Sequence, residues 1–190
     1  YFGYMRGRYS IAEMKELDLP NIEFAGFYWF DEYVYAKDLA YYKRVTDYIR
    51  SLGMKAGLWI EPEIIGVKCR EMLDYYTDDC FIRRFGKRLA VMGRHFLDYR
   101  HPRVREYMTE TVRRMVEDYG ADYIKFDYNQ DMGVGTDRDA LTAGEGLETC
   151  TEAFFSWVEE MKTRYPGVIL EGCSSGGTIG LEIGILFQSI

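Results

Sequence analysis

Apolar positions along this chain switch repeatedly between two spacings. Ile22 to Trp29 is a short aromatic and apolar run, which predicts a strand. From Asp38 to Leu52, apolar residues fall at Leu39, Tyr42, Val45, Ile49 and Leu52, the period of one helix face, and Gly53 supplies a stop. Met54 to Ile60 reads as a second strand. Ile64 to Thr77 is expected to be partly helical, and Arg83 to Arg88 an exposed turn. Pro102 to Tyr119 is the clearest helix. Proline suits its first position, and Val104, Tyr107, Met108, Thr111, Val112, Met115, Val116 and Tyr119 form one face ended by Gly120. A strand then runs to Asp127. Gly133 to Gly146 reads as a loop, Glu148 to Tyr165 as a helix stopped by Pro166-Gly167, and Val168 to Glu171 as a last strand.

Strands alternating with helices imply an α/β fold with parallel strands and crossover helices. An open doubly wound sheet and a (β/α)8 TIM barrel both satisfy the pattern. Polar residues gather just after each strand: Asp31-Glu32, Glu61 and Glu63, Lys125/Asp127/Asn129, and Glu171/Cys173/Ser174. Barrel enzymes carry their chemistry at such positions, so the barrel is preferred. A full barrel needs about 250 residues. This chain of 190 residues is therefore expected to be an incomplete fragment covering roughly strands 2 to 5, residues 1–190 forming one partial catalytic domain.

Composition narrows the function classes. A net charge of -7 argues against a nucleic-acid surface. No run approaches the roughly 20 apolar residues of a membrane span. Cysteines at 69, 80, 150 and 173 lack zinc-site spacing and read as free thiols, which favours a cytoplasmic location. Neither His95 nor His101 has a ligand partner in sequence, so neither a metal site nor a His-based triad is expected, and no motif implies a cofactor.

Within the run Ala121 to Asp127, Lys125 and Asp127 are two residues apart. Side chains alternate along a strand, so Lys125, Asp127 and Asn129 share one side. A carboxylate beside a fixed cation stays ionised and can act as a nucleophile; a strand-end ion pair is the plainer reading of the same spacing. Gly57, Trp59 and Glu61 likewise share a face, with Pro62 turning the chain out. Asp127 to Asp131 imitates the start of a calcium loop, but Met132 and Arg138 stand where such a loop needs Gly and Glu. Ser174-Ser175-Gly176-Gly177 lacks the further glycines or lysine of a nucleotide fingerprint, and reads as a tight loop approaching a ligand.

Gly57-Leu-Trp-Ile-Glu-Pro-Glu63, Asp122-Tyr-Ile-Lys-Phe-Asp-Tyr-Asn129 and Leu170-Glu-Gly-Cys-Ser-Ser-Gly-Gly177 occur in this order. Together with Leu97-Asp98 and His101-Pro102 ahead of the long helix, they resemble the catalytic barrel of glycoside hydrolase family 36, the α-galactosidase or melibiase family. The resemblance implies a retaining glycosidase acting on terminal α-galactosides, with a saccharide as its small-molecule partner. Asp127 matches the nucleophile. Lys125 matches the lysine that holds sugar hydroxyls, with Asn129 beside it on the same side. Trp59 matches a pocket wall, Cys173 and Gly176 a pocket-lining loop, and Asp31, with Glu32, the aspartates that grip sugar hydroxyls. Arg94 matches a substrate-binding arginine, although its spacing to Asp98 is shorter than the family's.

Two segments depart from the family pattern. Asp31-Glu-Tyr-Val-Tyr35 lacks a following Trp, and Thr178-Ile-Gly-Leu-Glu182 replaces an Arg and Asp. A related specificity such as α-N-acetylgalactosaminidase, or a non-catalytic carbohydrate-binding relative, is the alternative. The family's general acid/base follows the next barrel strand, so it is expected beyond Ile190. The oligomeric state of a full-length protein, including a homo-oligomer, is left open.

Overall fold

A computed structural model describes residues 39–173. The expected strand at Ile22–Trp29 lies outside them. Helix α1 spans Leu39–Ser51, and Gly53, with φ of 77°, ends it. Strand β1 (Gly57–Ile60) follows.

Residues 61–100 form an excursion from the strand–helix alternation. Ile64–Thr77 is helical only at α2 (Arg70–Tyr75), because Ile64–Gly66 forms β2. The exposed turn expected at Arg83–Arg88 is a hairpin of β3 (Arg83–Arg84) and β4 (Lys87–Arg88). Its tip, Phe85-Gly86, has φ of 50° and 73°, the left-handed pair that a tight two-residue hairpin loop demands. Strands β5 (Ala90–Val91) and β6 (Arg94–Phe96) complete a small antiparallel sheet in the order β2-β6-β5.

Helix α3 (Pro102–Arg113) begins at Pro102, with His101 as its cap: the ring accepts from the Arg103 N–H. It continues through a π-helical turn at Arg114–Asp118, and Gly120 ends it at φ 74°. Strand β7 covers Tyr123–Asp127 and β8 Ile169–Cys173. Helix α4 (Ala143–Arg164) begins before Glu148, so the expected loop to Gly146 was too long. The reason is a cap: Thr142 Oγ1 accepts from Glu145 N at 3.1 Å, and Glu145 Oε2 accepts from Leu141 N at 2.6 Å. No helix among the described residues is long and apolar enough to cross a membrane.

Strands β1, β7 and β8 form one parallel sheet with β7 in the centre. This is the strand–helix–strand arrangement read from the sequence, and the barrel is not closed among the described residues. One face of the sheet is buried. Ile124, Phe126 and Leu170 pack against Val104, Met108, Val112 and Met115 of the α3 segment and Phe154, Trp157, Val158 and Met161 of α4. Phe126 stacks on Trp157, with ring centroids 5.6 Å apart. Helix α1 is tied to the entry of β7: Thr46 Oγ1 donates to the Tyr119 carbonyl at 2.7 Å, and Arg50 pairs with Asp122 at 2.9 Å.

The loop after β7 crosses the first turn of α4 so closely that a Cβ on Gly146 would overlap the Thr136 carbonyl. Alanine normally favours a helix interior over glycine by about 1 kcal/mol, whereas overpacking costs about 1–3 kcal/mol. Gly146→Ala is expected to lower stability by about 1–2 kcal/mol. Gly167→Ala, where nothing lies within 4 Å, should leave it nearly unchanged. Parallel thermal melts of the two variants check this.

Candidate active site

The central strand sorts its own side chains. Ile124 and Phe126 are buried against the helices, so Tyr123, Lys125 and Asp127 lie on the other face, half-buried. Parallel pairing then sets their neighbours. Trp59 lies opposite Lys125, Lys125 opposite Glu171, and Asp127 opposite Cys173.

Asp127 ends β7 inside a ring of donors. Trp59 Nε1 donates to its Oδ2 at 3.0 Å, and the Tyr128 backbone N–H reaches Oδ1 at 3.1 Å. The same N–H donates to the Cys173 carbonyl at 2.8 Å, tying the end of β7 to β8. Burial works to raise the Asp127 pKa. Hydrogen bonds from Asn129, Trp59 and Cys173, with the charge of Lys125, outweigh it and hold the carboxyl below its ordinary value. The group is therefore ionised at neutral pH, held so chiefly by hydrogen bonds and only then by the lysine that the spacing pointed to. Behind it, Asn129 Nδ2 donates to Glu61 Oε1 at 2.9 Å, joining the ends of β7 and β1.

Glu63, two residues beyond Glu61, has a different environment. Part of the residue reaches solvent, but protein atoms crowd its carboxyl, and burial pushes it up to about 8. It sits beside Tyr99 and Tyr128: both phenols are raised chiefly by burial, and next by the Glu63 charge.

The structure thus gathers Trp59, Lys125, Asp127, Asn129 and Cys173 at one sheet edge. Arg94 is half-buried on β6, in the separate antiparallel sheet, paired with Gly66 and Val91. Asp31, Glu32 and Gly176 lie outside the described residues. Glu61 entered the sequence reading only as a strand-end carboxylate; its partner Asn129 is 68 positions away, a separation at which no local pattern operates. Sequence reasoning also missed two polar clusters. Buried Asp98 holds Arg100 through a 2.7 Å ion pair, and Cys150 Sγ lies 3.8 Å from the same carboxylate. Asp79, Cys80 and His101 meet at the start of α3. There the His101 ring uses Nδ1 to accept the Arg103 N–H and turns Nε2 toward Asp79 at 3.3 Å, so the two sides of the ring serve different partners.

α/β-barrel proteins carry their functional residues at the C-terminal ends of parallel strands, and Asp127 ends the central strand here. The chain belongs to the melibiase family, whose model matches residues 29–189. It is 32% identical over 145 residues to the bifunctional alpha-galactosidase/sucrose kinase AgaSK of Mediterraneibacter gnavus, covering 74% of this chain and 14% of that protein. It is 28% identical over 135 residues to alpha-galactosidase Mel36A of Lactobacillus acidophilus, covering 70% of this chain and 18% of that one. Among solved structures, the galactosidase domain of AgaSK superposes with a TM-score of 0.61 at 27% identity, over 76% of this chain and 19% of that chain. A doubly substituted variant of the GH36 alpha-galactosidase AgaA of Geobacillus stearothermophilus gives a TM-score of 0.63 at 24% identity, over 76% and 20%. The chain thus spans less than a fifth of the length of these two curated relatives.

Two titrations probe these environments. Trp59→Phe removes a donor from the Asp127 carboxylate, so Asp127 should titrate at a higher pH than in the parent, as followed by carbon NMR of the aspartate carboxyls. For Glu63 the folded-state pKa lies above the unfolded one, so its stability contribution is complete below pH 4.5 and is lost as pH rises toward 8. Glu63→Gln should therefore flatten the decline in denaturation midpoint between pH 5 and 8.

Proposed function

We propose that the full-length protein is a retaining glycosidase acting on terminal α-galactosides, with Asp127 as its nucleophile. The observation that carries this reading is the Asp127 carboxylate at the end of the central strand, where Trp59 Nε1 donates to it at 3.0 Å; hydrogen bonds from Asn129, Trp59 and Cys173, with the charge of Lys125, hold its pKa below the ordinary value. Attack of one carboxylate oxygen on the anomeric carbon forms a glycosyl ester as the bond to the leaving group breaks. A protonated acid on the opposite side of that bond supplies the leaving group's proton, then takes a proton from the water that cleaves the ester. Retaining enzymes place the two carboxyls about 5–5.5 Å apart.

Within the described residues, Glu61 is engaged with Asn129, and Glu63 lies against Tyr99 and Tyr128. We assign the acid to the remainder of the catalytic domain, together with a second sugar-gripping group at Asp31 and Glu32 and a loop wall at Gly176. Arg94 and Lys125 are proposed to bind sugar hydroxyls. The substrate class follows the relatives: variants of AgaA have been captured with stachyose and with raffinose.

The test is covalent trapping. An activated fluorosugar of the galacto series should label the full-length protein at Asp127, located by peptide mass mapping. Asp127→Asn should lower kcat/KM on an aryl α-galactoside by at least about a thousandfold. Ligand binding without any adduct would instead mark a non-catalytic carbohydrate-binding protein. Faster turnover of an aryl α-N-acetylgalactosaminide would mark the related specificity.

A further inference from the structure

We propose that Glu61 is a positioning residue: its carboxylate fixes the amide of Asn129 so that the nitrogen of that amide, and not its oxygen, faces Asp127. The inference rests on the proposed role of Asp127 and extends it to the residue that holds Asn129.

Asn129 stands at the junction of two acids. Its Nδ2 donates to Glu61 Oε1 at 2.9 Å, and its side chain also hydrogen-bonds the Asp127 carboxylate. A primary amide has two N–H donors on one atom and a carbonyl oxygen on the other. Turned over, the same side chain would aim that oxygen at two carboxylates at once. Each bond to an ionised oxygen is charge-assisted and roughly twice as strong as a neutral one, so two acids on one amide select a single orientation. The supports are rigid: Glu61 follows β1, Asn129 follows β7, and these strands pair in register from Gly57↔Tyr123 to Ile60↔Phe126. Pro62, buried directly after Glu61, holds the turn, and its carbonyl accepts from Tyr99 Oη at 2.8 Å.

The alternative role for Glu61 is simple charge, and the two have opposite signs. The charged and titratable groups around Asp127 are Lys125 on its own strand, Glu61 at the end of β1, and Cys173 with Glu171 on β8. As a bare negative charge, Glu61 would make Asp127 harder to ionise, so removing it would move the acid limb of kcat/KM to lower pH. As a positioning group it keeps a donor on Asp127, so removing it frees the amide to turn and moves that limb to higher pH.

The experiment compares the full-length parent with Glu61→Ala, Glu61→Gln, Asn129→Ala and the double alanine variant. In Glu61→Ala the acid limb should rise by about half a unit to one unit, with kcat/KM falling about tenfold. Glu61→Gln keeps an acceptor oxygen and should recover part of that loss. The double variant should match Asn129→Ala alone. A downward or absent shift in Glu61→Ala, or additive losses in the double variant, would overturn the proposal. A second readout needs no turnover. The Asn129 side-chain amide resonance, identified by its loss in Asn129→Ala, should respond to Asp127 titration in the parent and lose that response in Glu61→Ala. If the parent forms no fluorosugar adduct, the glycosidase reading fails while the amide resonance still decides the role of Glu61.

Discussion

Among the described residues strand β7 buries Ile124 and Phe126 fully and leaves Tyr123, Lys125 and Asp127 half-buried on the other face, and most of the site depends on that sorting. Ile124 and Phe126 are driven against the helices, where Phe126 meets the ring of Trp157. Burying a large apolar side chain is worth about 1.5–3 kcal/mol, and a one-residue slip would expose both of these while driving Lys125 and Asp127 into an apolar layer. The hydrophobic contact thus fixes which way the chemistry points. Pairing on both sides of β7 then brings Trp59 and Cys173 to Asp127 as a consequence of register.

The segments flanking the strand are held to the same standard. Arg50 bridges Asp47 and Asp122, and its guanidinium also donates to the Gly120 carbonyl, so α1 grips the turn that feeds β7. Past Asp127, the Arg84 guanidinium donates to the Met132 and Gly135 carbonyls, and Thr136 Oγ1 donates to the Arg83 carbonyl at 2.6 Å. The β3–β4 hairpin is in this way fastened to the loop that leaves the site. An excursion that interrupts the strand–helix alternation becomes a brace for the residues after Asp127.

Much of the fold was legible because its elements are locally consistent. The α3 face, its proline start and its glycine stop sit within one stretch of chain and agree with one another. Errors fell where a tertiary or capping contact overrides local preference. Gly144 and Gly146 read as loop, yet the Thr142–Glu145 cap starts α4 ahead of them, and Gly146 is where the Thr136 carbonyl passes. Ile64–Gly66 lies in a stretch read as partly helical, and it pairs instead with β6, a strand some thirty residues away. Arg94, proposed to bind sugar hydroxyls, stands on β6 of the small antiparallel sheet, a placement that no local spacing announces.

The sequence by itself determined the alternation that puts Lys125 and Asp127 on one face, because a two-residue period is a property of the backbone. It also determined the α/β class and the resemblance of three ordered motifs to one family. Only the tertiary structure decided which groups hold the carboxylate. Trp59 and Glu61 each reach their partners across 68 residues, and the intervening excursion and helix carry no signal of the register that unites them. That register is set by packing of the sheet on α3 and α4, a collective fit of many side chains. For that reason the lysine, aspartate and asparagine could be read as sharing one side, and the tryptophan as a pocket wall, while the hydrogen bonds that join Trp59 to Asp127 and Glu61 to Asn129 could not.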